Sequence, residues 1–411
     1  MEVMYPRCAG LDVHQAFIVV CCRILGPDGH LTKVVRRYST MTVDLLALGD
    51  WLVACGVTHV AMESTGVFWK PVWNLLEDRC TVLLVNPRDV KQVPGRKTDV
   101  SDAEWIAQLL QHGLLRGSFV PPAPIRELRD LTRHRTTLIR DNTRVINRIH
   151  KVLEDANIKL SAVASDIMGV SGRAMLQALA TGETDPPRLA QLARHTLRKK
   201  IPQLEQALQG HLRPHHRFLL QNLLAQVTFL EQQIAEVDRA VAEAVRPFAR
   251  ELTLLQTIPG IKARAENVLA ELGPDMRVFP TAAHAASWAA LCPGNDETGG
   301  KRRTGKTRRG NRWLRGVLTE AAWAAARTKN TYPAAQYRRL ASRRGKKRAI
   351  VAVSHSLLIA AYHVLRDGVP YHDLGAQHFD RLNPTQLTRY LVKRLERLGH
   401  KVTLEAIHVA A

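Results

Sequence analysis

The period of hydrophobic and polar positions changes twice along the chain. From Ala9 to Cys22 the residues are apolar and largely β-branched, and GPDG at 26–29 then supplies turn chemistry before a second extended run from His30 to Tyr38. This pattern predicts a hairpin. Thr42 to Cys55 has helical spacing, THVAME at 58–63 reads as a buried strand, and Val67 to Asp78 is helical again. TVLLVNP at 81–87 predicts a further strand, and Asp99 to His112 a closing helix. Antiparallel strands followed by alternating strand and helix describe a mixed α/β sheet, an N-terminal domain over residues 1–122 that Pro121, Pro122 and Pro124 bring to an end.

Beyond the prolines, Leu131, Leu138, Val145 and Val152 recur at seven-residue steps with Ile149 between them, the mark of a long amphipathic helix. A stronger heptad follows: Leu220, Val227, Ile234 and Val241 take one core position while Leu223, Leu230, Val237 and Ala244 take the other. That is a coiled-coil signature. Two helices of a globular bundle are the competing reading, so region 123–247 is either a helical spacer or a dimerisation element. Pro247 breaks the second helix, and a third, mainly helical unit spans 248–370. Its opening, LLQTIPGIKARAENVLAELG at 254–273, sets Pro259 and Gly260 between two helical segments. Such a turn either offers backbone N–H groups to a phosphate or simply packs two helices together. Residues 371–411 are expected to form a C-terminal helical tail.

Charge narrows the partners. Over 411 residues, 59 Lys and Arg against 37 Asp and Glu leave a net +22, and such a chain seeks polyanions. A membrane surface is a weaker fit, because the longest apolar run, Ala349 to Leu365, is interrupted by Ser354, His355, Ser356 and His363 and predicts a buried helix. The opening MEVMYPRCAGLD lacks the charged-then-apolar pattern of a secretion signal, which points to the cytoplasm. The six cysteines show no C-x-x-C spacing, so they are expected to be reduced and mostly buried. His211, His215 and His216, in HLRPHHR, predict a solvated polar connection, since no carboxylate or thiol lies beside them to complete a metal-ligand set.

Four acids stand out against their surroundings. Asp12 falls inside the first predicted strand, in AGLDVHQ, and Glu63 ends the strand THVAME. Burying a carboxylate costs several kcal/mol unless a counter-charge awaits it, and a divalent cation would serve both. Asp99 and Asp102, in KTDVSDAEWIAQLL, are three residues apart at the start of a helix and share one face. Alone, they would read equally well as acids favoured in a first helical turn. Together, the four hard oxygen donors suit Mg²⁺ or Mn²⁺. Two such ions about 4 Å apart promote phosphoryl transfer.

A basic glycine-rich stretch lies far downstream. Lys301, Arg302, Arg303, Lys306, Arg308, Arg309, Arg312 and Arg315 fall in fifteen residues without an acid, while Gly299, Gly300, Gly305 and Gly310 leave the backbone open to a phosphate. Trp313 either stacks on a base or packs in the core with Leu314 and Leu318. Residues 126–151 add a stripe of eight bases, and RRGKKR at 343–348 is either a further phosphate contact or a surface turn.

GLDVHQ, MESTGVFWKPVWNLL and NPRDVKQVPGRKTDVSDAEWIAQLL resemble the catalytic domain of the IS-one-ten (IS110) family of insertion-sequence transposases, and TIPGIKARAENVLAELG with WAALCPGNDETGGKRRTGKTRRGNRWLRGVLTEAAWAA resembles that family's C-terminal transposase domain. The resemblance implies an RNase H-like (RuvC-like) fold with a DEDD acidic quartet, carried here by Asp12, Glu63, Asp99 and Asp102. It implies two Mg²⁺ or Mn²⁺ ions, DNA at the element ends and the target, and a structured RNA encoded by the element that pairs with both. It also implies a serine nucleophile in the basic loop. The matching position here is Thr298, with Thr304 and Thr307 as neighbours; its hydroxyl keeps covalent attack open, while its β-methyl crowds the approach. The expected function is therefore a transposase or recombinase, working as a dimer or tetramer that holds several DNA strands. The competing readings are a structure-specific junction nuclease and a non-catalytic nucleic-acid binder.

Overall fold

The computed structural model describes residues 2–63, 66–87, 90, 102–294, 296–307 and 310–405. The chain divides into two compact units, Met1–Pro121 and Pro122–Ala411.

In the first unit, β1 (Arg7–Val13), β2 (Phe17–Leu25) and β3 (Leu31–Ser39) precede α1 (Thr42–Ala54), β4 (His59–Glu63), α2 (Trp69–Leu76), β5 (Thr81–Val85) and α3 (Asp102–Gln111). The sheet order is β3-β2-β1-β4-β5. The first three strands pair antiparallel, whereas β4 and β5 join parallel to β1. One correction follows for the extended run at Ala9 to Cys22. It holds two strands, because the chain reverses after Val13, where the His14 N–H donates to the Phe17 carbonyl at 2.9 Å in a turn without Gly or Pro.

Strand alternation sorts the side chains onto two faces. Ala9, Leu11, Val60 and Met62 bury against Leu45, Leu48 and Leu52 of α1 and Val72 and Leu76 of α2. On the other face, Cys8 and Ala61 meet Ile106, Leu109 and Leu110 of α3. Here α3 comes unusually near the sheet: a Cβ on Gly10 would stand 2.3 Å from both the Ala103 oxygen and the Ala107 nitrogen. All six cysteines are free thiols. Burial pushes Cys8 and Cys22 up to about 12 and Cys21 up to about 11, so they remain neutral packing groups.

The second unit begins with α4 (Ala123–Asp155), continues through the short helices α5 (Leu160–Val163), α6 (Val170–Thr181), α7 (Pro186–Ala190) and α8 (Ile201–Ala207), and returns along α9 (Pro214–Ala244). Helices α4 and α9 run antiparallel, since Asp155 at the end of α4 meets His216 at the start of α9 while Arg135 meets Asp238. The α9 seam residues Leu220, Val227 and Leu230 are buried with Val145, Ile149 and Leu153 of α4. Both seven-residue repeats therefore find their partner within one chain, an antiparallel helix pair whose core the short helices complete.

Then follow α10 (Ala249–Gln256), α11 (Ala265–Leu272), α12 (Ala282–Trp288), β6 (Asp296–Thr298), β7 (Lys301–Thr304), α13 (Arg312–Arg327), α14 (Tyr332–Arg344), α15 (Lys346–Asp367), α16 (His378–Leu382) and α17 (Pro384–Arg397). The long apolar run is α15, a core helix packed by α12, α13 and α14. Its buried Ser354 hydroxyl donates to the Ile350 carbonyl at 2.8 Å, which satisfies the polar group inside the core. Among the described residues α15 alone is long and apolar enough to cross a membrane, and its burial explains that composition. Gly260 takes φ +83°, and a Cβ there would stand 2.2 Å from the Ala321 oxygen of α13. Close packing of helices accounts for the glycine at that turn.

Candidate nucleic-acid processing site

The first unit gathers its acids at one edge. Cys8, Gly10 and Asp12 alternate on the α3 face of β1, and Ala61 and Glu63 do so on β4. The registered pair Leu11 with Met62 sets Asp12 and Glu63 one step further along neighbouring parallel strands. Helix α3 runs antiparallel to β1. The Met4 N–H donates to Gln111 at its C-terminal end, the Cys8 thiol donates to the Ala107 carbonyl at 3.6 Å, and Gly10 lies against Ala103. Its first residue, Asp102, therefore comes to the end of β1 where Asp12 stands. All three carboxylates are partly exposed. His14 Nε2 lies 3.1 Å from Asp12 Oδ2, on the turn that leaves the strand. Asp99 lies outside the described residues.

The donor atoms of Asp12, Glu63 and Asp102 do not all fall within 4.8 Å of one another; among the described residues the set that does is Asp155, His215 and His216. Sequence reasoning missed the carboxylate beside those histidines because Asp155 is brought there from the far end of α4. His216 is buried, its Nδ1 accepts from the Arg213 N–H at 3.2 Å, and its Nε2 faces Asp155 at 2.8 Å. Nε2 thus clasps the end of α4 to the start of α9 while Nδ1 takes part in the α9 cap; His211 and His215 are exposed, as the sequence predicted, and His216 is the buried exception.

The basic stretch in the second unit is a hairpin. Thr298 and Lys301 pair across Gly299 and Gly300, whose φ values of +58° and +71° are those of a two-residue primed turn. Nothing would meet a Cβ at either glycine, so the tip projects into open space. A bridge between Pro293 and Thr307 and the Gly294 N–H donating to the Lys306 carbonyl extend the pairing. Gly310 serves a different end, because a Cβ there would stand 2.5 Å from that of Ala290. Lys301, Lys306 and Arg312 are exposed and Arg315 is half-buried. Thr298, Arg302 and Arg303 are fixed by backbone position on β6 and β7, while Arg308 and Arg309 lie outside the described residues.

The buried Glu271 of α11, 2% exposed, organises the base of this hairpin. Its carboxylate accepts two bonds from Arg133 at 2.7 and 2.8 Å and one from the Asn311 amide at 2.6 Å. Asn311 in turn caps α13, its Oδ1 accepting from the Trp313 and Leu314 N–H groups. Arg129 donates to the Ala270 and Glu271 carbonyls, and Arg135 is held by Asp238 and Glu266. The basic stripe of α4 is therefore partly spent within the protein. Trp313 takes neither extreme: half-buried, it is surrounded by the guanidinium groups of Arg133, Arg140 and Arg312, 5.1–5.7 Å from its ring centre.

Two family models fall on these elements. Residues 9–158 match a model described as transposase, and residues 252–338 match the transposase IS116/IS110/IS902 family. The chain belongs to the IS110 family of transposases. A Pseudomonas aeruginosa protein named "Probable family 20 transposase" is 29% identical over 320 residues, 77% of this chain and 83% of that one. The 44.8 kDa protein of insertion element IS116 from Streptomyces clavuligerus is 27% identical over 267 residues, 57% of this chain and 65% of that one. The transposase family supplies a DNA substrate. The first match begins three residues before Asp12, and the second contains Thr298, Glu271 and the whole hairpin.

Proposed function

We propose that this transposase cuts and rejoins DNA with a carboxylate site made by Asp12, Glu63, Asp99 and Asp102 and a hydroxyl nucleophile at Thr298. The observation that carries the reading is the arrival of Asp12, Glu63 and Asp102 at one edge from three separate elements. Strand order β3-β2-β1-β4-β5, with an antiparallel first half, supports the RNase H-like fold that the family resemblance implies. The carboxylates of Asp12, Glu63 and Asp102, hard oxygen donors that are partly exposed, fit Mg²⁺ or Mn²⁺. When bound, two such ions stabilise charge on the attacking and leaving oxygens of a phosphodiester.

The chain's own groups carry the rest. The Thr298 oxygen attacks phosphorus and gives up its proton as the P–O3′ bond breaks. The departing oxygen takes a proton to become a 3′ hydroxyl, and a phosphothreonine ester remains. Rejoining is the reverse: a 3′ hydroxyl of another strand attacks the ester and frees Thr298, with no outside energy. Lys301, Lys306, Arg312 and Arg315 hold phosphates around the hairpin, with Arg302, Arg303, Arg308 and Arg309 contributing charge along it. On the family resemblance, an RNA encoded by the element selects the sequences to be joined. The oligomer rests on the need to hold several strands, since α4 already covers the α9 seam.

Purified chain, its co-purifying RNA and labelled element-end DNA test this reading with Mg²⁺ present. New junctions are expected from the wild type and none from Asp12→Asn, with DNA binding retained. Nicks without joining would favour a junction nuclease, and activity indifferent to Asp12→Asn would leave a non-catalytic binder.

A further inference from the structure

At the end of the second family match, which stops at residue 338 within α14, the helices α14, α16 and α17 border an open groove of about 710 Å³. Arg338, Arg339 and Arg343 line its α14 side, and Phe379 and Tyr390 lie on the α16 and α17 side. The three arginines are exposed and form no ion pair with a described residue. From Arg338 to Arg348 the chain holds seven bases and no acid, and α17 adds Arg389, Lys393, Arg394 and Arg397 against Glu396 alone. Asp380 is the acid on the groove lining against Arg338, Arg339 and Arg343, so the groove keeps a net positive field for a polyanion.

Its aromatic groups say which polyanion. The Phe379 ring stacks on Tyr332 with centroids 5.2 Å apart, and the Arg339 guanidinium lies 5.1 Å above the Phe379 centre. Tyr390 is 58% exposed, a large flat ring with no described ring partner in the groove. Cations that track a backbone, with aromatic faces between them, are what an unpaired nucleic-acid strand requires, because its bases are free to stack. A duplex hides those base faces and would use the arginines alone.

We infer that the groove between α14 and α17 binds a single-stranded stretch of nucleic acid. Phosphates meet Arg338 and Arg343, and a base stacks on Tyr390. The inference rests on nucleic acid being the substrate but is independent of the carboxylate site. Its source is either a DNA strand exposed during exchange or an RNA, and both present the same chemistry.

Fluorescence anisotropy on the full chain tests it with labelled single-stranded DNA, single-stranded RNA and a duplex, each measured separately. Tyr390→Ala is expected to weaken single-strand binding about tenfold. Arg338→Gln combined with Arg343→Gln is expected to reduce the slope of log affinity against log salt by about 1.4, at about 0.7 per lost phosphate contact. Duplex affinity is expected to stay unchanged in Tyr390→Ala, and the strand type that this variant weakens identifies the source. These side chains are exposed, and matching thermal transitions verify folding. Single-strand affinity and salt slope equal to wild type in both variants overturn the proposal, as does displacement of the strand by polyglutamate as readily as by unlabelled strand, which would indicate an acidic protein partner. Lys301→Gln with Lys306→Gln separates this groove from the hairpin: loss of duplex binding there, with the groove variants silent, leaves the proposed reaction standing and removes only the groove.

Discussion

Gly10→Ala is the perturbation that most directly couples packing to chemistry. The added Cβ would meet the Ala103 oxygen and the Ala107 nitrogen at 2.3 Å, roughly 1 Å inside ordinary van der Waals contact. Both obstacles are backbone atoms of α3, so no side chain can swing aside and β1 and α3 must separate. Overpacking of this kind costs about 3 kcal/mol. For a unit of this size the cost corresponds to a fall of roughly 10 °C in melting temperature if unfolding is two-state. The same separation moves Asp102 away from Asp12 and Glu63. A displacement of about 1 Å at a catalytic centre costs on the order of a hundredfold in rate. Gly29→Ala is the matched control. It adds the same methyl to the same unit where nothing lies within 4 Å, and only its φ of +80° opposes the change. That should cost about 1 kcal/mol and leave cleavage intact. Differential scanning fluorimetry and a DNA cleavage assay on both variants supply the readout. Equal melting temperatures for Gly10→Ala and wild type would refute the close approach, and with it the argument that brings Asp102 to the strand ends.

Other expectations follow from the second unit and the thiols. Glu271→Ala leaves Arg133 and Arg129 without their buried carboxylate and removes a partner of Asn311, so it should destabilise the chain by about 3 kcal/mol in denaturant titration; a loss below about 1 kcal/mol would show that the network is solvated. Thr298→Ala should abolish a covalent protein–DNA adduct resolved by denaturing gel, whereas Thr298→Ser should preserve or raise it; an adduct surviving in the alanine variant would move the nucleophile elsewhere. Burial raises Cys8, Cys21, Cys22 and Cys80 to about 11–12, so at pH 8 they are thiols rather than thiolates. Native protein should alkylate there far more slowly than protein in denaturant, and mass spectrometry showing equal rates would contradict the core described above.

Much of this architecture was legible because local pattern and tertiary demand agree. THVAME and TVLLV are strands by any reading of their β-branched residues, and Asp12 and Glu63 are conspicuous because an acid interrupts each apolar run. The reversal at residues 14–16 was not legible, since His14, Gln15 and Ala16 carry no turn chemistry of the usual kind. Partner choice was equally hidden. The heptads of α4 and α9 announce apolar seams without stating that each seam faces the other. The α4 arginines look solvated in sequence, yet Glu271 and Glu266, more than a hundred residues away, claim three of them. Long-range pairing decides which cations remain for DNA. Gly299 and Gly300 read as loop chemistry and proved to be the tip of a hairpin, because two consecutive positive φ values suit a tight two-residue turn.

In the proposed reaction, acids from β1, β4 and the start of α3 jointly hold divalent ions. Titration of Mn²⁺ into the full chain, followed by electron paramagnetic resonance of the free ion, measures that binding without reference to turnover. Two ions bound per chain are predicted for the wild type, with Asp12→Asn and Asp102→Asn each weakening both. Retention of both ions by Asp12→Asn, or their loss only when Asp155 or His215 is replaced, would place metal binding elsewhere and contradict the account.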